Sequence, residues 1–247
     1  MSALKTMIRT ETKIFAREPM AVFWGLVFPS VLLVVLGLVL PGAREPSPDL
    51  GGLRVVDLYT PIVLGFALIT LGISTLPTIL ATYRERGVLK RLATTPVAPS
   101  RMVVSQLAVH LLVAVISGFA ALVVAWAVFD VPFPQNPWAF VLTFLLGAAS
   151  LFGIGLVIGA VAPSAASGQG IGMAVYFPLL FFAGVYFPRE VMPEGLARVS
   201  DFTPSGALVQ ALTDSFAGRI PAVSSLAIMA AFAAVFGFLA VRLFRWE

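Results

Sequence analysis

The chain has no cysteine. That removes disulfides, thiolate metal sites and cysteine nucleophiles together. It has one histidine, His110, so a pair of histidine ligands of the H-E-x-x-H kind is excluded. It is also poor in charge. Asp, Glu, Lys and Arg make up 11% of its 247 residues, against about 25% in a soluble globular domain. No phosphate loop of the form G-x-x-x-x-G-K-[ST] occurs, because Gly87-Val88-Leu89-Lys90 lacks both the second glycine and the hydroxyl residue. The chain is therefore not expected to hydrolyse ATP itself. No G-x-S-x-G elbow occurs either. The net charge of +4 reads as membrane topology by its placement, not as an affinity for nucleic acid.

What the chain has in abundance is hydrocarbon. Its residues are 59% hydrophobic and its mean hydropathy is +0.99. A membrane-spanning helix needs about 20 mostly apolar residues. Six runs meet that length, at roughly 20–40, 57–82, 102–129, 138–162, 169–186 and 221–242. The expected fold class is an all-α integral membrane protein, with residues 1–247 forming a single transmembrane domain. Pro29, Pro61, Pro77 and Pro178 lie within or near the ends of these runs, where prolines kink helices and neighbouring helices satisfy the freed carbonyls.

Before the first run, residues 1–19 read as an amphipathic helix on the membrane surface. Leu4, Met7, Ile8, Ile14 and Phe15 share one face, and Lys5, Arg9, Lys13 and Arg17 lie elsewhere. The long polar leader and the lack of a small-residue cleavage site argue against a signal peptide. Lysine and arginine bias sets orientation. With the N-terminus in the cytoplasm, the inside segments hold Lys5, Arg9, Lys13, Arg17, the five basic residues from Arg84 to Arg101, Arg242 and Arg245, the last beside Trp246. The outside loops hold Arg44, Arg54, Arg189, Arg198 and Arg219. Both termini are thus expected in the cytoplasm.

The longest segment between runs, 187–219, is expected outside and re-entrant. Thr203 is placed to cap a helix whose first residue is Pro204, and Gly218 to end it. That helix is too short to span, so it is read, with a shorter turn near Pro193, as a pair dipping part way into the outer leaflet.

The residues that could carry chemistry are few. His110 reads as a proton relay or ligand contact or, preferably, as a helix-packing hydrogen bond or a position near the cytoplasmic interface, since a relay needs more than one ionisable group within the membrane. No charged residue lies in the middle of the other runs. This argues against a proton- or sodium-coupled carrier, and a transporter of this composition must draw its energy from elsewhere. Gly155/Gly159 and Gly168/Gly172 are small-xxx-small pairs, read as close helix packing in preference to ligand contact. Tyr176, Phe177, Phe181, Phe182, Tyr186 and Phe187 give the fifth run an aromatic wall. Packing and lipid contact account for most such residues. Phe23, Phe28, Phe66, Tyr176, Phe177 and Phe181 are the aromatics expected along a route for an apolar substrate.

The densest charge lies between the second and third runs. Residues 83–96 read Tyr-Arg-Glu-Arg-Gly-Val-Leu-Lys-Arg-Leu-Ala-Thr-Thr-Pro. Taken as one helix, Val88, Leu89 and Leu92 share an arc and Arg84, Arg86, Lys90 and Arg91 cover the other side. Glu85 falls within the apolar arc. A carboxylate there suits a face that meets another protein supplying a donor. A basic loop resting on anionic headgroups is the competing reading, and the residues alone leave the two even.

The sequence resembles the membrane subunit, or permease, of type-2 ATP-binding cassette exporters. Two motifs carry the resemblance: Glu85-Arg86-Gly87-Val88-Leu89-Lys90-Arg91-Leu92 with Thr95-Pro96, and Gly184-Val185-Tyr186-Phe187-Pro188 with Met192-Pro193 and Thr203-Pro204. The resemblance implies that 83–96 is a coupling helix. In it Arg84, Glu85, Arg86, Gly87, Leu89, Lys90 and Arg91 contact a separate ATPase subunit, which the surface helix also touches. Phe187, Pro188, Met192 and Pro193 are then the start of an extracellular gate. It implies two ATPase subunits and a second permease chain, identical or not, in a bacterial cytoplasmic membrane, and a drug, antibiotic, lipid or glycolipid as cargo. This chain itself binds no cofactor or metal on that reading, and ATP and magnesium sit on the partner. A membrane enzyme would need polar catalytic groups in the runs. A non-transporting scaffold or sensor partnered with an ATPase would carry the same docking motif and stays open.

Overall fold

A computed structural model describes residues 3–40, 42–47, 52–88, 91 and 100–243. Among them every regular element is helical. Six helices are long and apolar enough to cross a membrane: Pro19–Val39, Val55–Glu85, Ser100–Phe129, Pro137–Val161, Ala165–Phe182 and Val223–Leu243, numbered here spans one to six. The chain is a multi-pass membrane protein. Leu89, Lys90, Leu92, Thr95, Pro96, Arg245 and Trp246 lie outside the described residues.

Spans two and four form the centre. The apolar stretch of span two is 78% buried and that of span four 67%, whereas spans one and five each reach 22%. Small residues bring these central helices together. A Cβ on Gly155 of span four would land on the carbonyl oxygen of Gly72 in span two. Gly159 faces Leu80, Gly168 faces Ala81, and a Cβ on Gly172 would lie 2.7 Å from the carbonyl oxygen of Ile73. The two small-xxx-small pairs are therefore packing devices, and their neighbours include backbone and the Leu80 and Ala81 side chains of span two.

Span five starts earlier than its apolar run implies. Ser164 caps it, accepting from the Ser167 amide at 3.2 Å while the Ser164 amide donates to Ser167 Oγ at 3.0 Å. The glycines that follow do not break the helix, because neighbouring helices hold it. It stops at Phe182, and Gly184 takes φ +84° just beyond. Two prolines leave a different mark. Wide π-helical turns at Phe23–Val27 and Thr70–Thr75 lie just N-terminal to Pro29 and Pro77. A proline ring clashes with the carbonyl one turn back, and a widened turn makes room for it. Pro61 and Pro178 sit inside regular α-helix.

The surface helix Ala3–Arg17 packs along span three. At the opposite end of the molecule, a short turn at Arg189–Val191 leads to the outer helices Glu194–Asp201 and Pro204–Phe216. Thr203 caps the longer one, accepting from the Gly206 amide at 3.0 Å, and Pro204 is its first residue. Gly218 ends it at φ +74°. Leu208 and Leu212 of this helix are fully buried, and it packs on spans two, four and six.

Candidate functional site

The site is assembled at the end of the molecule that carries the surface helix. Span two runs as helix through Glu85 and turns at Arg86–Gly87, with Gly87 at φ +66°. Val88 and Arg91 are helical again, and the Arg91 amide donates to the Gly87 carbonyl at 3.1 Å. The stretch read as one helix over 83–96 is thus divided at Gly87, where a left-handed residue is required and glycine supplies it. The apolar arc that joined Glu85 to Val88 does not run across that turn.

The donor for Glu85 lies within the chain. Its Oε2 accepts from the backbone amide of Ala165 at 2.8 Å, at the first residue of span five. Arg84 turns the other way: its Nη1 donates to the carbonyls of Gly159 and Ala162, both at 2.9 Å, at the end of span four. Arg86 and Arg91 are exposed.

Tyr83, one residue earlier, ties span two to the surface helix. Its hydroxyl donates to Glu11 Oε2 at 2.7 Å, and Gln106 of span three donates to the same oxygen at 2.5 Å. Glu11 is buried, at 8% exposure. Phe15, one turn along, packs edge-on against His110, which is fully buried between Phe15 and Phe152. His110 Nδ1 bonds the Gln106 carbonyl at 2.9 Å. The histidine is thus packed among rings and backbone of the chain itself.

Between the surface helix, span one, span two and span five lies a cavity of about 660 Å³. That is within the roughly 300–1,000 Å³ of small-molecule sites. Part of its lining is aromatic, with Trp24, Tyr176 and Phe177. Thr70, Ser74, Thr78 and Thr82 repeat every four residues along span two and present a stripe of hydroxyls to it. Thr78 donates to the Ser74 carbonyl at 2.8 Å and Thr82 to the Thr78 carbonyl at 2.7 Å. The protons of Thr78 and Thr82 are thus spent on their own helix, which leaves their oxygens as acceptors. Glu18 and Arg86 stand exposed at its rim, and the buried Glu11 carboxylate adjoins it.

The expected aromatic route divides. Tyr176 and Phe177 line the cavity, and Tyr176 shares a 3.0 Å hydrogen bond with Thr70. Phe66 packs between Tyr176 and Phe28, with ring centroids at 6.5 and 5.5 Å, and Phe28 continues to Phe23 and Trp24. Phe181 pairs with Phe182 away from this chain of rings. Sequence reading passed over Trp24, Glu11 and the hydroxyl stripe. The stripe has a signal, a hydroxyl residue at each fourth position, and Glu11 stands one turn from Met7 and from Phe15 on the apolar side of the surface helix.

At the opposite end, Phe187 is exposed, Met192 is buried at 9% exposure, and Pro188 and Pro193 precede the turn and the short outer helix. Arg189 pairs with Asp201 at 2.7 Å. Arg54, just before span two, donates to Asp57 at 2.7 Å and to the Phe129 carbonyl at the end of span three at 2.8 Å. The Asp57 hydrogen bond raises the Arg54 pKa above its ordinary value, against the burial that lowers it. A smaller cavity of about 150 Å³ lies here, between the outer helices and spans two and five.

Among the described residues no group of three His, Asp or Glu side chains is placed to hold a metal ion. No curated protein matches the chain. A family model does, over residues 2–217, and it describes the ABC-2 type transporter. That span takes in the surface helix, five of the six spans and both outer helices, so the chain belongs to the ABC-2 type transporter family as a membrane domain, the part of such a transporter that does not itself contain the ATPase.

Proposed function

We propose that this permease exports an amphiphilic substrate across a bacterial cytoplasmic membrane, driven by ATP that a separate subunit hydrolyses. The observation that carries the reading is the cavity of about 660 Å³ at the basic end of the molecule, with an aromatic wall and a polar rim. An apolar body fits against Trp24, Tyr176 and Phe177, and a polar head fits among the hydroxyls, Glu18 and Arg86. A drug, antibiotic, lipid or glycolipid has that division.

In this reading the basic end faces the cytoplasm, in line with the lysine and arginine bias. Two ATPase subunits dock on the segment after span two of two permease chains. Arg86, Gly87 and Arg91 are the described contact residues, Leu89 and Lys90 complete the set, and Arg84 and Glu85 stand where the segment joins the membrane helices. Closure of the ATPase pair on ATP displaces this segment, tilts spans one, two and five, and opens a path between the chains. Substrate leaves past Phe187, Pro188, Met192 and Pro193, which join span five to the outer helices.

The test is reconstitution. Permease and ATPase are placed together in proteoliposomes, and a fluorescent cationic amphiphile and a fluorescent short-chain phospholipid serve as probes. Movement of either probe that requires both ATP and the permease supports export. A complex that binds and hydrolyses ATP yet moves neither turns the reading toward the scaffold or sensor.

A further inference from the structure

Arg84 and Glu85 are neighbours of opposite charge, and each ends on the backbone of a different helix. Arg84 donates to the Gly159 and Ala162 carbonyls, where span four ends. The last carbonyls of a helix lack intrahelical donors and carry partial negative charge. Glu85 accepts from the Ala165 amide, where span five begins. The first amides of a helix lack acceptors and carry partial positive charge. The signs match at both contacts. Only Ala162, Pro163 and Ser164 separate the two helices. The end of span two therefore clasps the turn between spans four and five from both sides.

The clasp is continuous with the packing above it. Gly159 rests on Leu80, Gly168 on Ala81, and Gly172 on the Ile73 carbonyl. Span five thus lies against the backbone of span two from its first turn to Gly172. The same span five presents Gln169, Met173, Tyr176 and Phe177 to the cavity. The segment after Gly87 attaches to this clasp through one turn.

We infer that Arg84 and Glu85 are positioning residues for transport. They make the end of span two and the span four–span five turn move as one body, so that displacement of the segment after Gly87 carries the cavity's span-five wall with it. Their role is transmission within the permease, distinct from contact with the ATPase. The inference rests on the exporter reading.

The chain has no native cysteine, so introduced thiols label it cleanly. Two spin-label pairs are measured in the permease–ATPase complex, with labelled chain diluted into unlabelled, before and after trapping with magnesium-ATP and vanadate. Ile79→Cys with Ala166→Cys reports span two against the start of span five. Met20→Cys with Ala166→Cys reports span five against span one across the cavity. The expected result is an unchanged 79–166 distance and a 20–166 distance shifted by more than about 2 Å, the size of ordinary helix shifts at interfaces. In Arg84→Ala/Glu85→Ala the 79–166 distribution widens or splits on trapping. Arg84→Lys/Glu85→Gln, which keeps a donor and an acceptor, restores the single distance.

The inference is overturned if 79–166 shifts as far as 20–166 in the otherwise unsubstituted chain. It is overturned equally if the double alanine variant keeps one trapped distance. Should the alanine variant fail to fold, the unsubstituted pair still decides. If neither pair responds to trapping in a complex that hydrolyses ATP, the exporter reading itself fails and the inference falls with it.

Discussion

Replacing Glu11 by alanine should release the surface helix from the membrane helices. The carboxylate is buried and accepts from Tyr83 at 2.7 Å and from Gln106 at 2.5 Å. Its removal strands the buried Gln106 amide, at a cost of about 1–3 kcal/mol, and the half-buried Tyr83 hydroxyl, at less. Removing the carboxylate also relieves the cost of keeping it out of water, which offsets part of the loss. Phe15 stays, buried against His110. The net weakening of the helix–membrane contact is about 2–4 kcal/mol. At about 1.4 kcal/mol per factor of ten, this detaches the helix roughly 30 to 700 times more often. Amide hydrogen exchange across Ala3–Arg17, in detergent or nanodiscs, reads that detachment directly. Glu11→Gln retains one acceptor oxygen and should show a smaller rise. The reasoning is refuted if Glu11→Ala raises exchange in this helix less than about threefold. It is refuted also if the rise spreads evenly over all six spans, which would mean global loosening.

Two further perturbations probe the frame. Gly155→Ala puts a Cβ onto the Gly72 carbonyl, an overpacking expected to cost about 1–3 kcal/mol and to lower the midpoint of a thermal unfolding scan in detergent. Gly170→Ala meets open space and should leave stability within about 0.5 kcal/mol of its starting value, or raise it, with the midpoint little changed or higher. Arg54→Ala removes the bond to the Phe129 carbonyl and the pair with Asp57, whose side chains are 22% and 23% exposed. It should destabilise by about 1–2 kcal/mol, with the difference from the unsubstituted chain shrinking at high salt.

The spans were legible because length and hydropathy alone define them, and the Thr203-Pro204 start because a cap is a local signal. The glycine pairs announced close packing, but only the fold shows that span two is what they pack against. The start of span five was missed by four residues, at Ala165 instead of Gln169. A small, polar, glycine-rich first turn does not look like membrane helix until a neighbour holds it. The break at Gly87 was hidden for the opposite reason. The charges on both sides invited a single helical arc, and one glycine with positive φ divides it. Glu85 was read as a carboxylate whose donor would come from another protein, and the structure gives it a donor inside the chain. That donor is 80 residues away in the chain, and the partners of Glu11 are 72 and 95 residues away. Helical periodicity assigns a residue to a face and is silent on what meets that face. The cavity has the same origin, since its walls come from residues as far apart in sequence as Glu11 and Phe177.

The claim that this chain moves cargo when an ATPase pushes on the segment after span two is tested most directly by probe movement in proteoliposomes. The unsubstituted permease is compared with Arg91→Glu, which reverses an exposed charge of the segment that does not line the cavity. ATP-dependent movement by the unsubstituted complex, abolished in the variant while its membrane helices keep their thermal midpoint, is the expected result. Movement that persists unchanged in the variant, or that needs no ATP, would contradict the account.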